Sequence, residues 1–120
     1  MDINDEAEMC AEYRQQLAGC MPERWSIQYV GLVDRLPGGA SKHGIKPGCL
    51  CVKAAARSKL FGEGLSVCIG IGEPDGRKMD PSVVAGLLEG ALKHAEQQRS
   101  REVGGRWQPF HMSIPPFRRR

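Results

Sequence analysis

No stretch of this 120-residue sequence stays uncharged and apolar for the roughly 18–20 residues that a membrane-spanning helix needs. A basic leader is also lacking. Asp2, Asp5, Glu6 and Glu8 stand near the start, the reverse of a secretory signal. These two absences lead us to expect a cytoplasmic protein with no membrane partner. Catalytic spacings are missing as well: there is no H-E-x-x-H pair, no Ser/His/Asp pattern, no paired-carboxylate motif and no G-x-x-x-x-G-K-[ST] phosphate loop. Gly70-Ile71-Gly72 is a two-glycine fragment of a dinucleotide fingerprint without its strand-to-helix setting. The expectation is a non-enzymatic protein that needs no cofactor.

The cysteines lack the pattern of a metal or disulfide framework. Cys10, Cys20, Cys49, Cys51 and Cys68 form an odd set without the C-x₂₋₄-C spacing of a zinc site, which suits a reducing compartment. Cys49 and Cys51, two apart, share a face if they lie on a strand. Zinc would need two more ligands, with Cys68 and His94 the conceivable ones. Small buried hydrophobes are the simpler reading, so no metal is expected. A Cys/His enzyme built on Cys49 or Cys51 is the least supported of three functional readings, because such chemistry needs a neighbouring base or thiolate-stabilising charge.

What is present is ordinary in amount and uneven in distribution. Hydrophobic residues at 41% and charged residues at 26% suit one globular domain rather than a disordered chain. The net charge of +3 conceals a gradient: residues 1–40 carry −4, residues 41–80 carry +3 and residues 81–120 carry +4. Clustered cations favour phosphate-rich or acidic partners.

Periodicity predicts an α+β fold in the order α-β-β-β-α, with a three-stranded antiparallel sheet packed by two helices. Ile3, Ala7, Cys10, Tyr13 and Leu17 recur at helical spacing over residues 3–18, opposite Asp5, Glu8, Glu12 and Gln16. Gly19 and Pro22 end that helix. Strands are expected over 25–33, 49–57 and 65–72, with a glycine hairpin at Lys59–Gly64. On the last strand Leu65, Val67, Ile69 and Ile71 share one face. Ser66, Cys68, Gly70 and Gly72 share the other, where something must approach closely. Asp80 caps and Pro81 starts a helix whose stripe is Val84, Leu87, Leu88, Ala91, Leu92 and Ala95. We expect a single domain over residues 1–103 and an irregular Pro/Arg-rich tail over 104–120.

Several surfaces are candidates for binding. The long connection 34–48 sets Arg35, Lys42, His43 and Lys46 among glycines and prolines, so that amides and cations could converge on an anion. Arg77 and Lys78 precede the second long helix, while Arg57 and Lys59 follow the middle strand. In the tail, Arg106, Trp107, Arg118, Arg119 and Arg120 combine cations with an aromatic ring, a pairing suited to nucleic acid. Gly86 and Gly90 offer a helix surface for a homodimer.

The α-β-β-β-α order resembles that of double-stranded RNA-binding domains over about residues 3–98. In that family a His-containing loop after the first strand and a Lys-rich start of the second helix touch RNA. The resemblance implies such roles for His43 and for Arg77-Lys78. The sequence departs from the family where Asp80-Pro81-Ser82-Val83 replaces the lysine run and where the first helix is acidic. The leading expectation is therefore a binding module for nucleic acid or a nucleoprotein complex. The second is a protein-protein inhibitor or adaptor, such as a phage or mobile-element accessory protein that blocks a larger host machine.

Overall fold

The computed structural model describes residues 3–57, 64–101 and 110–114. Its elements are α1 (Ile3–Ala18), β1 (Trp25–Leu32), α2 (Gly39–His43), β2 (Leu50–Arg57), β3 (Gly64–Gly72), α3 (Pro81–Arg101) and β4 (Phe110–Ile114), with a 3-10 turn at Val33–Arg35. The expected α+β architecture is present. β1, β2 and β3 form an antiparallel sheet, in register from Trp25↔Ala56 to Leu32↔Leu50 and from Leu50↔Gly72 to Arg57↔Gly64, with α1 and α3 against it. Among the described residues no helix is long and apolar enough to cross a membrane.

Alternation along the strands sorts the side chains onto two faces. Leu50, Val52, Ala54 and Ala56 join Leu65, Val67, Ile69 and Ile71 in the main core. From α1 come Cys10, Tyr13 and Leu17, and from α3 come Val84, Leu88, Ala91 and Leu92. The start of α3 is held as its sequence predicts. The Asp80 carboxylate accepts the Ser82 hydroxyl at 2.7 Å and the Ser82 N–H at 2.8 Å, and these bonds, the hydroxyl's first, hold the Asp80 pKa below the usual carboxylate range.

Three features go beyond the sequence expectation. The C-terminal segment supplies a fourth strand: Phe110–Ile114 pairs parallel with β3, from Leu65↔Phe110 to Ile69↔Ile114. Second, the connection after β1 is folded rather than irregular. Gly44, at φ +66°, closes α2 in a left-handed conformation that side chains resist, and its N–H reaches the Ser41 carbonyl at 3.4 Å. Asp34 then accepts the Gly48 N–H at 3.1 Å and draws the connection shut.

Third, that connection covers one end of the sheet face turned away from the helices. Val33, Leu36, Ala40, Ile45 and Cys49 pack with Cys51 and Cys68 in a second small core, with Tyr29 at its margin. Cys49 and Cys51 do share a face, as their spacing requires. Cys10, Cys49, Cys51 and Cys68 are buried free thiols, and Cys20 is exposed. The shared thiol hydrogen bond with Cys68, followed by burial, pushes the Cys51 pKa far above the ordinary thiol range. Cys51 therefore stays protonated at neutral pH.

Candidate functional site

Antiparallel pairing places the start of β2 beside the end of β3, and this brings two cation-bearing connections together. Leu50 pairs with Gly72. The residues just outside that pair are also joined, since Lys46 Nζ lies 3.2 Å from Glu73 Oε1. Lys42 and Lys46 of the first connection thus stand at the same end of the sheet as Arg77 and Lys78 of the second. Arg35, in the 3-10 turn after β1, is turned instead to Glu6 of α1.

The Glu73–Met79 turn is anchored from both sides of the main core. The Tyr13 hydroxyl donates to the Met79 carbonyl at 2.8 Å, and the Met79 N–H donates to the Ile71 carbonyl at 2.7 Å. Burial, then Asp80, pushes the Tyr13 pKa upward, which keeps its donor proton in place. Gly72 permits the chain to fold back so tightly. Its φ is +121°, and a Cβ there would lie 2.7 Å from the Arg77 carbonyl oxygen. Gly72→Ala is expected to destabilise the protein by about 1–3 kcal/mol through backbone strain. Urea denaturation checks this; a midpoint equal to that of the parent protein would show that the turn yields.

The carboxylates at this end are largely engaged by the protein itself. Asp34 holds Gly48, Glu73 holds Lys46, Asp80 caps α3, and Glu6 takes a forked bond from Arg35 at 2.8 and 3.4 Å. Lys78 turns back to the Gly76 carbonyl at 3.3 Å. Lys42 and Arg77 have no carboxylate partner among the described residues. The Lys46–Glu73 pair is exposed on both sides and so is worth little energetically, leaving Lys46 able to change partner.

The other candidates separate. His43 corrects the surface reading: it is 2% exposed inside the folded connection, and its Nε2 lies 3.3 Å from the Pro37 carbonyl oxygen. The reason is local. A five-residue helix between Gly38 and Gly44 turns Ala40 and His43 inward while Lys42 faces solvent. Arg57 sits at the opposite end of β2, seven residues from Leu50 and hence about 24 Å away at strand rise. Lys59, Arg106, Trp107, Arg118, Arg119 and Arg120 lie outside the described residues. Among the described residues no three His, Cys, Asp or Glu side chains converge as a metal site.

A second feature had no signal as a site in the sequence. An open cleft of about 410 Å³ runs between α1 and β1, lined by Glu6, Ala7, Cys10, Ala11, Arg14, Tyr29, Val30, Gly31 and Arg35. Ala7 belongs to the apolar stripe of α1 by periodicity, yet it is exposed here with Ala11. No family model matches the chain, and no curated protein or solved structure matches it.

Proposed function

We propose that this protein is a non-enzymatic binding module that engages the phosphate backbone of nucleic acid, alone or within a nucleoprotein complex. The observation that supports this reading is that the connections bearing Lys42 and Arg77 meet at one end of the sheet through the Lys46–Glu73 pair, and that neither cation has a carboxylate partner among the described residues. Lys46 and Lys78 flank them on the same two connections. Asp34, Glu73 and Asp80 are occupied by backbone amides and a cation of the protein, whereas Asp75, on the same turn as Arg77, has no partner among the described residues and competes with an incoming phosphate.

The contact surface on the described residues is small, and the salt dependence follows from its size. Two or three neutralised phosphates correspond to a log K against log salt slope of roughly −2 to −3 on duplex nucleic acid. Fluorescence anisotropy with labelled duplex RNA and DNA across a salt series measures it. The double variant Lys42→Glu/Arg77→Glu should flatten the slope by about 2, whereas Lys93→Glu on exposed α3 should leave it nearly unchanged. Absence of binding at low salt, or a slope indifferent to the double variant, would remove the reading.

A further inference from the structure

We propose that Cys51 and Cys68 form a reversible redox switch: a hydroperoxide oxidises the pair to a cross-strand disulfide, and this loosens the folded connection that covers it. The switch lies beneath residues 33–49 and needs neither Lys42 nor Arg77. Cys51 on β2 stands opposite Gly31 of β1 and Gly70 of β3, so neither facing residue puts a side chain beside it. On the β1 side the Tyr29 ring fills the gap, since a Cβ at Gly31 would lie 2.5 Å from the Tyr29 hydroxyl oxygen. On the β3 side the Cys51 thiol leans across the ladder and donates to the sulfur of Cys68, two residues before Gly70. Both thiols belong to the small core under the connection. This is the close approach that the small residues on that face of β3 permit.

The two thiols have different roles. Cys68 is the nucleophile: the Cys51 hydrogen bond, and then Lys53 directly opposite in the ladder, outweigh burial and hold its pKa below the ordinary thiol range. Cys51 keeps its proton and resolves. Attack of the Cys68 thiolate on hydrogen peroxide breaks the O–O bond and gives a sulfenic acid, and the leaving hydroxide takes up the proton that Cys68 lost. The Cys51 sulfur then displaces the sulfenic oxygen, which departs as water with the Cys51 proton. Two thiols lose two electrons in total, and one peroxide becomes two waters.

Both residues are wholly buried, so a small oxidant reaches them when the connection opens locally. The far end of that cover is lightly held, by the Gly48 N–H on Asp34 at 3.1 Å and by the exposed Lys46–Glu73 pair. Diagonal Cα atoms across an antiparallel pair stand about 7–8 Å apart, outside the range of about 4.4–6.8 Å that a relaxed disulfide spans. β2 must therefore draw toward β3, and the register break between Leu50 and Cys51 is where the strand can give. A bond closed in this way is strained and easily reduced, as regulatory disulfides are. It also brings the sulfurs to about 2 Å apart and takes packing volume from beneath Leu36, Ala40 and Ile45, which share the core with them.

The test uses the full chain carrying Cys20→Ala, which removes the exposed thiol. A small molar excess of hydrogen peroxide should remove two of the thiols titratable in denaturant. Tryptic mapping without reductant should join residues 43–53 to residues 60–77, with fragmentation placing the bond between Cys51 and Cys68. Cys49→Ala should keep the bond, whereas Cys51→Ala and Cys68→Ala should each abolish it. Cys10, whose pKa burial pushes up, should stay reduced throughout. An excess of reduced glutathione should restore both thiols. The Gly39 and Ile45 N–H groups bond to Leu36 and Ala40 within the connection. In the oxidised protein their exchange should quicken at least about threefold, while that of Leu88 and Leu92 in α3 stays constant.

A bond from Cys49 in place of Cys51 would overturn the proposal. So would oxidation of Cys68 to a sulfinic acid without a cross-link, or a full set of thiols after peroxide. A disulfide that forms but leaves exchange at Gly39 and Ile45 unchanged would overturn the switch, since the connection would then not respond. If Cys51→Ala or Cys68→Ala folds poorly, the peptide map of the Cys20→Ala protein alone decides. None of these outcomes depends on Lys42 or Arg77, so failure here leaves the phosphate-binding reading intact.

Discussion

Leu88→Ala is expected to lower the unfolding free energy by about 2–5 kcal/mol. Leu88 is wholly buried in the α3 stripe, in one core with Val84, Ala91 and Leu92 and with the β2 and β3 side chains that face the helices. Truncation removes the transfer free energy of the lost methyl groups and leaves a cavity that the surrounding sheet and helix refill only in part. A domain of this size has a total stability of roughly 5–15 kcal/mol, so this single change consumes a large share of it. In urea denaturation the midpoint should fall while the slope stays constant. Val83, five positions earlier on the same helix, is half exposed. Val83→Ala should therefore change the unfolding free energy by no more than about 0.5 kcal/mol. Comparable losses at the two sites would mean that the apolar face of α3 lies elsewhere.

The second large effect belongs to Glu89. Its carboxylate accepts hydrogen bonds from both the Trp25 indole N–H and the Arg24 guanidinium, tying the middle of α3 to the start of β1. Glu89→Ala leaves the indole N–H and the guanidinium without their acceptor, and should cost about 1.5–3 kcal/mol as hydrogen bonds to a charged group do. Glu89→Gln keeps one acceptor oxygen and should cost less. The pH dependence has a definite sign. Burial raises the Glu89 pKa, but the bonds from Arg24 and Trp25 outweigh it and the net shift is downward. A depressed carboxyl pKa stabilises the fold above the unfolded-state value, and this contribution is lost as pH falls through the folded-state value. The parent protein should thus lose more stability than Glu89→Ala between neutral pH and about pH 3. Parallel stability curves for the two proteins over that range would show that the carboxylate is not coupled to folding.

Much of the fold was legible because its signals are local. The α1 stripe, the Asp80 cap and the α3 stripe each lie within one continuous segment, and each element begins and ends where its periodicity and punctuation require. The first three strands fall within a residue or so of expectation for the same reason. β4 was not legible. Its five residues gain strand geometry from pairing with β3 some 45 positions earlier, and no local pattern reports a partner so distant. The folding of residues 33–49 was hidden similarly, since α2 is too short to show a period and is defined by its glycine borders and the core beneath it.

The candidate surfaces divide in the same way. That Lys42, Lys46, Arg77 and Lys78 belong to two glycine-rich connections is written in the chain, and antiparallel pairing brings those connections together. The withdrawal of His43 from solvent and the pairing of Arg35 with Glu6 follow from contacts between segments. So does the exposure of Ala7, which depends on how far α1 lies from the edge of β1.

Composition and periodicity by themselves determined an α+β domain with an acidic first helix and cations gathered toward its later segments, because charge counts and local repeats need no knowledge of neighbours. Among the described residues, the tertiary structure alone decided which of those cations have no carboxylate partner, which apolar residues stay uncovered and which strand edge has no strand partner. Each of these depends on distances between residues far apart in the chain, and only the folded arrangement sets them.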